Sequence, residues 1–319
     1  MNDDYIPCLK VYTNQTINYA KYIGQKRDKK PPDDTATSIP LSEQSVRRIR
    51  RVVDFMADTA RWKKVWCEEK KEHVWFRLGF LTLTLPAPQL KPYGQIHCQL
   101  LQAGIINEAA ETLADSDFKY TDENLKSFCL NHFLTVLREK YNVSKYLWKA
   151  ESQKNGNIHF HILIDKFIHW KTLQYVWNRV LSKTSLIDEF EKKHGHRNPP
   201  TIEIHSVRKV KSIRKYITKY LSKSEVRKRK INGRRWACSE ELSQYKGVEI
   251  ELTGLKALDY EKLDVLGPQY IYYHDWFRVY KLRVGQLATV LEGSKIISEY
   301  VAKFAELYPK AYQEIQGYL

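Results

Sequence analysis

Apolar and polar positions alternate most clearly in the stretch NGNIHFHILID, residues 155–165. Side chains of a β-strand point alternately to its two faces, so four apolar residues share one face while His159 and His161 share the other. Asn155 and Gly156 favour a turn between this strand and a second alternating segment, KYLWKAESQ, at 145–153. The pattern predicts a β-hairpin that presents two histidines together on one face.

Further strands and helices surround this hairpin. Period-two patterns predict strands at 75–86 and 201–207, and apolar residues at helical spacing predict helices at 42–62, 122–141, 169–181 and 212–223. The apolar stripe predicted for the 122–141 helix consists of Leu125, Phe128, Phe133, Leu134 and Leu137. This order of elements predicts an α+β fold with a central antiparallel sheet and flanking helices, plus N- and C-terminal extensions.

The chain divides by pattern into three segments. Residues 1–70 combine a breaker-rich linker at 25–40 with the first predicted helix, and we expect them to form an N-terminal helical appendage. Residues 71–225 contain the predicted sheet and its helices. Residues 226–319 are a basic C-terminal extension, in which alternating aromatics at 270–280 predict sheet core rather than a stacking platform.

The charge balance indicates a polyanionic partner. Lys and Arg number 53 against 37 Asp and Glu, a formal net charge of +16, in a chain of 319 residues that is 43% hydrophobic. We expect nucleic acid rather than a membrane to be that partner, because the sequence has no long apolar span, signal peptide or lipidation motif. The five cysteines are scattered without CxxC pairs, which is typical of a protein in a reducing cytoplasm.

The polar face of the hairpin has the composition of a cation site. Two imidazoles and one carboxylate leave positions open to water and substrate oxygens, which suits Mg²⁺ or Mn²⁺ better than a structural zinc. A two-residue Asn-Gly turn would put Glu151 on the wrong face, whereas a three-residue loop at 155–157 pairs Glu151 with His161. The same loop pairs Gln153 with His159. We favour this longer loop, with Gln153 as an alternative or additional oxygen ligand.

The last predicted helix carries a short duplication, YITKYLSK. Tyr216 precedes Lys219 by three positions, and Tyr220 precedes Lys223 by three. At about 100° per residue the tyrosines lie at the rim of the apolar stripe and the lysines beyond them, a pattern that amphipathic core-edge tyrosines also produce. Beside a cation that polarises a phosphodiester, however, a tyrosine hydroxyl can attack phosphorus while lysines neutralise phosphate charge. Together with the histidine face, the duplication favours the catalytic interpretation.

Three motifs in this order, FLTLTLP, ESQKNGNIHFHILID and YITKYLSK, resemble those of the HUH endonuclease superfamily over about residues 75–225. Within it the chain looks like the two-tyrosine rolling-circle replication initiators (Rep proteins) of microvirus-type single-stranded DNA phages. The resemblance implies a ferredoxin-like palm. It assigns the metal ligands to His159, His161 and Glu151 and the alternating nucleophiles to Tyr216 and Tyr220.

The resemblance also implies a reaction and its partners. Such enzymes nick single-stranded DNA at a replication origin, keep the 5′ phosphate on tyrosine, leave a 3′ hydroxyl for extension, and later join the ends into a circle. Thr82 and Thr84 belong to the first motif, which lines the floor of the site in that family, and Lys219 matches a lysine that usually follows the tyrosine. We expect a host polymerase and, since no GxxxxGK loop is present, a host helicase, in the cytoplasm of a bacterial host.

A basic segment follows the tyrosine motif. RKRKINGRR, at 227–235, has six basic residues in nine and precedes Trp236. We interpret it as a DNA-tracking hairpin in which Trp236 stacks on a base, with a solvated linker as the alternative. The predicted phosphate contacts are Arg227, Lys228, Arg229, Lys230, Arg234 and Arg235.

Two other functions remain open from the sequence. A noncatalytic single-stranded nucleic-acid-binding protein on a similar open sheet needs neither the metal face nor the paired tyrosines. A transposase or a relaxase of the same superfamily uses similar chemistry. The absence of a zinc-binding cluster and the compact length favour replication.

Overall fold

The computed structural model of the protein describes residues 5–24, 41–106, 113–206, 229–274 and 277–316. Its strands are β1 (Tyr5–Val11), β2 (Thr16–Tyr22), β3 (Lys63–Cys67), β4 (Glu72–Phe76), β5 (Gly79–Leu83), β6 (Tyr146–Ser152), β7 (Ile158–Ile164), β8 (Ile202–Ser206), β9 (Trp236–Cys238), β10 (Val248–Glu251), β11 (Ile271–His274) and β12 (Phe277–Tyr280). Its helices are α1 (Glu43–Thr59), α2 (Pro92–Ala103), α3 (Asp122–Asn124), α4 (Asn131–Tyr141), α5 (Trp170–Leu181), α6 (Asp188–His194), α7 (Glu240–Gln244), α8 (Leu255–Asp264), α9 (Val284–Val290), α10 (Lys295–Leu307) and α11 (Pro309–Ile315).

The central sheet has the strand order β8-β5-β7-β6-β9, and each neighbouring pair is antiparallel. The apolar row of β7 is buried in a core that includes Phe133 of α4 and Trp177 of α5. One face of the sheet is therefore covered by helices because its alternating side chains are apolar. The predicted α+β fold with a central antiparallel sheet and flanking helices is confirmed.

The predicted 122–141 helix is present as α3 and α4 with a π-helical segment, Leu125–Leu130, between them. Four of the five predicted stripe residues are buried, but Phe128 is 71% exposed. At about 100° per residue, Phe128 lies about 140° around the helix from Phe133, so both cannot face one core. Cys129 and Leu130 are buried in the core instead.

The chain divides into two compact units that differ from the three predicted segments. One unit comprises residues 35–50 and 62–243 and contains the central sheet, and the other comprises residues 1–34, 51–61 and 244–319. In the second unit a sheet has the order β10-β1-β2-β12-β11. Residues 1–70 are therefore not a helical appendage, because β1 and β2 pair with strands from the predicted C-terminal extension.

The aromatic stretch at 270–280 forms β11 and β12, as its alternation predicts. Its assignment to sheet core is correct for Tyr280, which is buried, but wrong for Tyr272 and Tyr273, which are exposed. The reason is that β11 lies at the edge of its sheet. Among the described helices, none combines the length and the apolar character needed to cross a membrane.

Candidate active site

The β6–β7 hairpin brings the predicted metal ligands together, in a register one residue away from the favoured one. Glu151 pairs with His159 rather than with His161. The loop has three residues, as predicted, but they are 154–156, because the Gln153 amide donates a 2.7 Å hydrogen bond to the Asn157 carbonyl. Glu151 stays on the histidine face because moving a three-residue loop by one position shifts the pairing by two and preserves the alternation. Gln153 moves to a position opposite Asn157, farther from the histidines.

Gly156 determines where this loop lies. Its φ of +82° is in the left-handed region that favours glycine. Its amide donates to the Gln153 carbonyl at 3.0 Å, an arrangement expected for a type I turn followed by a left-handed third residue. A Cβ atom at this position would lie 2.3 Å from Cδ1 of Leu90 and 2.7 Å from Sγ of Cys98. The Asn-Gly pair therefore belongs to a three-residue loop packed against neighbouring side chains.

We expect Gly156→Ala to lower the free energy of unfolding by about 1–3 kcal/mol more than Gly195→Ala, because only the first adds overpacking to strain. Gly195 provides the matched control, since its φ is +73° but no atom lies within 4 Å of a Cβ placed there. Chemical unfolding of both variants measures the difference. Equal destabilisation would show that the space around position 156 does not limit the side chain.

Glu151, His159 and His161 form a compact group, in which one ligand atom from each residue lies within 4.8 Å of the others. Oε2 of Glu151 is 3.6 Å from Nε2 of His159 and 3.7 Å from Nε2 of His161. Glu151 and His161 are buried, whereas His159 is partly exposed. Two imidazole nitrogens and a carboxylate oxygen are ordinary ligands of divalent metals, and three protein ligands leave positions for other groups. The group can therefore hold a metal ion.

Strand β5 orients His161. Thr82 pairs with His161 across the ladder, and Oγ1 of Thr82 lies 3.1 Å from Nδ1 of the imidazole. Phe80 stacks on the same ring, with 5.6 Å between ring centres and 10° between planes. A partner on Nδ1 leaves Nε2 directed towards the carboxylate, as is usual for metal-binding histidines. Thr84 has a different place: its hydroxyl donates to the Thr201 carbonyl at 3.2 Å.

Lys149 is a site residue that sequence reasoning missed. It is 1% exposed, and its Nζ lies 2.8 Å from Oε1 of Glu151, the oxygen that does not face the histidines. Burial would raise the pKa of Glu151, but hydrogen bonds with His159 and His161 and the Lys149 ammonium hold that pKa well below its usual range. Alternation could have found Lys149, because it lies two positions before Glu151 and so shares its face.

Trp236 is placed on the same face of the sheet. It pairs with Lys149 in the β6–β9 ladder, and directly paired residues project from one face. Its side chain is partly exposed. This placement is compatible with the predicted stacking of Trp236 on a base near the candidate metal group.

The basic segment after the tyrosine motif is fastened to the domain instead of forming a free hairpin. Arg229 is 4% exposed, and its two Nη atoms each lie 2.8 Å from an oxygen of Asp122. Its Nε also donates to the carbonyl of Gly156 in the β6–β7 hairpin. The predicted phosphate contact of Arg229 is therefore wrong for this structure, because the buried carboxylate of Asp122 holds the guanidinium. The interaction links positions 107 residues apart, so local sequence could not reveal it.

The other predicted site residues fall into two groups. Arg235 is also buried, which makes it unsuited to the predicted phosphate contact, whereas Lys230 is partly exposed and Arg234 is exposed. The remaining predicted residues lie outside the described part of the chain: Tyr216, Lys219, Tyr220, Lys223, Arg227 and Lys228.

Comparison with known families supports the interpretation of the motifs. Residues 79–225, a little under half of the chain, match the family model for replication-associated proteins of the ORF2 type. The matched segment contains β5, the β6–β7 hairpin and the tyrosine motif. Comparison with curated proteins and with solved structures found no match. The family match supports a Rep-like replication initiator, the class of protein that the sequence motifs resemble.

Proposed function

We propose that the protein initiates rolling-circle replication by nicking and joining single-stranded DNA at an origin through a 5′-phosphotyrosine intermediate. The observation that carries the proposal is the buried group of Glu151, His159 and His161, which lies within the segment that matches the replication-associated family. A protein that only binds single strands has no need for three convergent metal ligands. The same observation therefore favours an enzyme over a binding protein.

Glu151, His159 and His161 would hold Mg²⁺ or Mn²⁺ in this site. When bound, the ion polarises the scissile phosphodiester and stabilises charge that develops on its oxygens. Thr82 holds the ring of His161, and the Lys149 ammonium holds one oxygen of Glu151, so the ligands are oriented before DNA arrives. This preorganisation is what the chain contributes to the first step.

Tyr216 and Tyr220 are the proposed nucleophiles. The hydroxyl oxygen of one tyrosine bonds to phosphorus and loses its proton, and the bond from phosphorus to the 3′ oxygen breaks. The departing oxygen takes up a proton and becomes the 3′ hydroxyl that a host polymerase extends. The second tyrosine cleaves the regenerated origin, and the newly freed 3′ hydroxyl attacks the first phosphotyrosine, which closes the circle and releases that tyrosine. Lys219 and Lys223 neutralise phosphate charge, and a host helicase separates the strands.

Alanine at both His159 and His161 is expected to abolish nicking of single-stranded origin DNA and the binding of Mn²⁺ measured by calorimetry. Affinity for the same DNA in the presence of a chelator should persist, because the substitutions leave the basic surface unchanged. Chelation of the unsubstituted protein should stop nicking, and added Mn²⁺ or Mg²⁺ should restore it. His132→Ala is the matched control, since His132 is an exposed histidine of α4.

Unimpaired nicking by the double variant would contradict the metal assignment. If the unsubstituted protein binds the origin strand and Mn²⁺ but forms no nick and no adduct, the enzymatic proposal fails and the noncatalytic binding function takes its place.

A further inference from the structure

The β3–β4 hairpin exposes tryptophan side chains that the nicking chemistry does not use. Lys64 pairs with Trp75, and Trp66 pairs with His73, so these four side chains project from one face of the hairpin. Trp66 is 46% exposed and Trp75 is 61% exposed. A groove of about 390 Å³ beside Trp75 is also lined by Trp62, a third exposed tryptophan.

The opposite face of this hairpin fixes its orientation. Cys67 and Phe76 project from that face and are buried. Phe76 contacts Phe167 edge-on, with 5.5 Å between ring centres. Because strand side chains alternate, burying this face commits Trp66 and Trp75 to solvent. Their exposure therefore follows from how the hairpin is anchored.

Exposed tryptophans on one face of a hairpin indicate a binding function. Tryptophan is highly buried on average in folded proteins because its large ring contributes strongly to burial energy. Contiguous exposed apolar surface rimmed by polar residues is typical of interaction sites. The rings of Trp66 and Trp75 are such a surface, with Lys64 and His73 beside them.

The charges around the tryptophans favour an anionic occupant. Residues 61–77 contain six basic residues and three acidic ones. Each acidic group is already engaged: Glu68 with Lys71, Glu69 with Lys171, and Glu72 with Lys70. Lys64 lies on the tryptophan face itself and is exposed. Flat aromatic rings beside cations are the arrangement that binds single strands, through base stacking and phosphate contacts.

We propose that the face of Lys64, Trp66, His73 and Trp75 is a stacking platform for single-stranded DNA. The proposal rests on the proposed function for the identity of the strand, and it adds a contact that requires neither the metal ligands nor the tyrosine nucleophiles. Bases stack on Trp66 and Trp75, and the Lys64 ammonium contacts a phosphate. The platform has little sequence preference, because every base has an aromatic face.

Trp66→Ala and Trp75→Ala are each expected to weaken binding of dye-labelled oligo(dT) by between about 5-fold and about 100-fold, the range for loss of one stacked base. Fluorescence anisotropy in the presence of a chelator measures the affinity without cleavage. Trp75→Phe should retain most of it, because phenylalanine keeps an aromatic face. Lys64→Ala should flatten the dependence of log affinity on log salt by about 0.7.

Phe128→Ala is the matched control, since Phe128 is an exposed aromatic residue on a helix of the same unit. Circular dichroism and unfolding of each variant establish that the exposed substitutions leave the fold intact. Affinities of Trp66→Ala and Trp75→Ala within 2-fold of the unsubstituted protein would overturn the platform and indicate a protein partner for this face. Loss of oligo(dT) affinity in these variants supports the platform even if the unsubstituted protein fails to nick, so the two proposals stand or fall separately.

Discussion

Phenylalanine at both Tyr216 and Tyr220 is expected to abolish covalent attachment of the protein to DNA while single-strand binding persists. The substitution removes both proposed nucleophilic hydroxyls. It barely disturbs the predicted apolar stripe of Ile213, Ile217 and Leu221, because only two oxygen atoms at its rim are lost. Denaturing gels of protein incubated with single-stranded origin DNA measure the adduct, and mass spectrometry of the nucleotide-linked peptide locates it.

Each single variant is expected to nick and to form an adduct through its remaining tyrosine, but to yield few closed circles. The two tyrosines lie about 6 Å apart along the predicted helix, so either can approach one phosphate, whereas repeated cleavage and joining needs both. Tyr175→Phe is the control, since Tyr175 is an exposed tyrosine of α5. Normal adduct and normal circles from Tyr220→Phe would make this a one-tyrosine enzyme. An adduct in the double variant would place the nucleophile elsewhere.

Arg229→Met is expected to lower the free energy of unfolding by about 3–5 kcal/mol, because it leaves Asp122 buried without its ionic partner. The side chains of both residues are almost completely buried, and two hydrogen bonds of 2.8 Å join them. Urea unfolding measures the loss. Arg197→Met is the control: Arg197 pairs with Asp188 at 3.2 Å, but both side chains are more than one third exposed, so that change should cost less than about 1 kcal/mol.

The same ion pair predicts the sign of a pH dependence. Burial would raise the pKa of Asp122, but the Arg229 guanidinium and hydrogen bonds from Gln89 and the Asn232 amide lower it below its usual value. A carboxyl group with a depressed folded-state pKa stabilises the protein fully above its unfolded pKa, about 4, and loses this contribution as pH falls through the folded value. The stability difference between the unsubstituted protein and Arg229→Met should therefore shrink below about pH 4. A difference that stays constant down to about pH 2 would contradict the pair's contribution.

The sequence by itself determined which side chains share the metal face. His159 and His161 lie two positions apart, so any strand directs them to the same side. A three-residue loop at either position keeps Glu151 in phase with them, which is why the ligand was predicted correctly although its partner was not. The core row of β7 followed from the same alternation. These features are local, because they depend only on the period of the strand.

Tertiary structure decided which partner each of these side chains meets. The packing of Leu90 and Cys98 around Gly156 selects the loop position. Asp122 captures Arg229 and takes it out of the basic surface. Pairing of β1 with β10 joins the two ends of the chain into one sheet. Periodicity records the side of an element on which a residue lies, whereas burial and ion pairing there depend on segments that are distant in sequence.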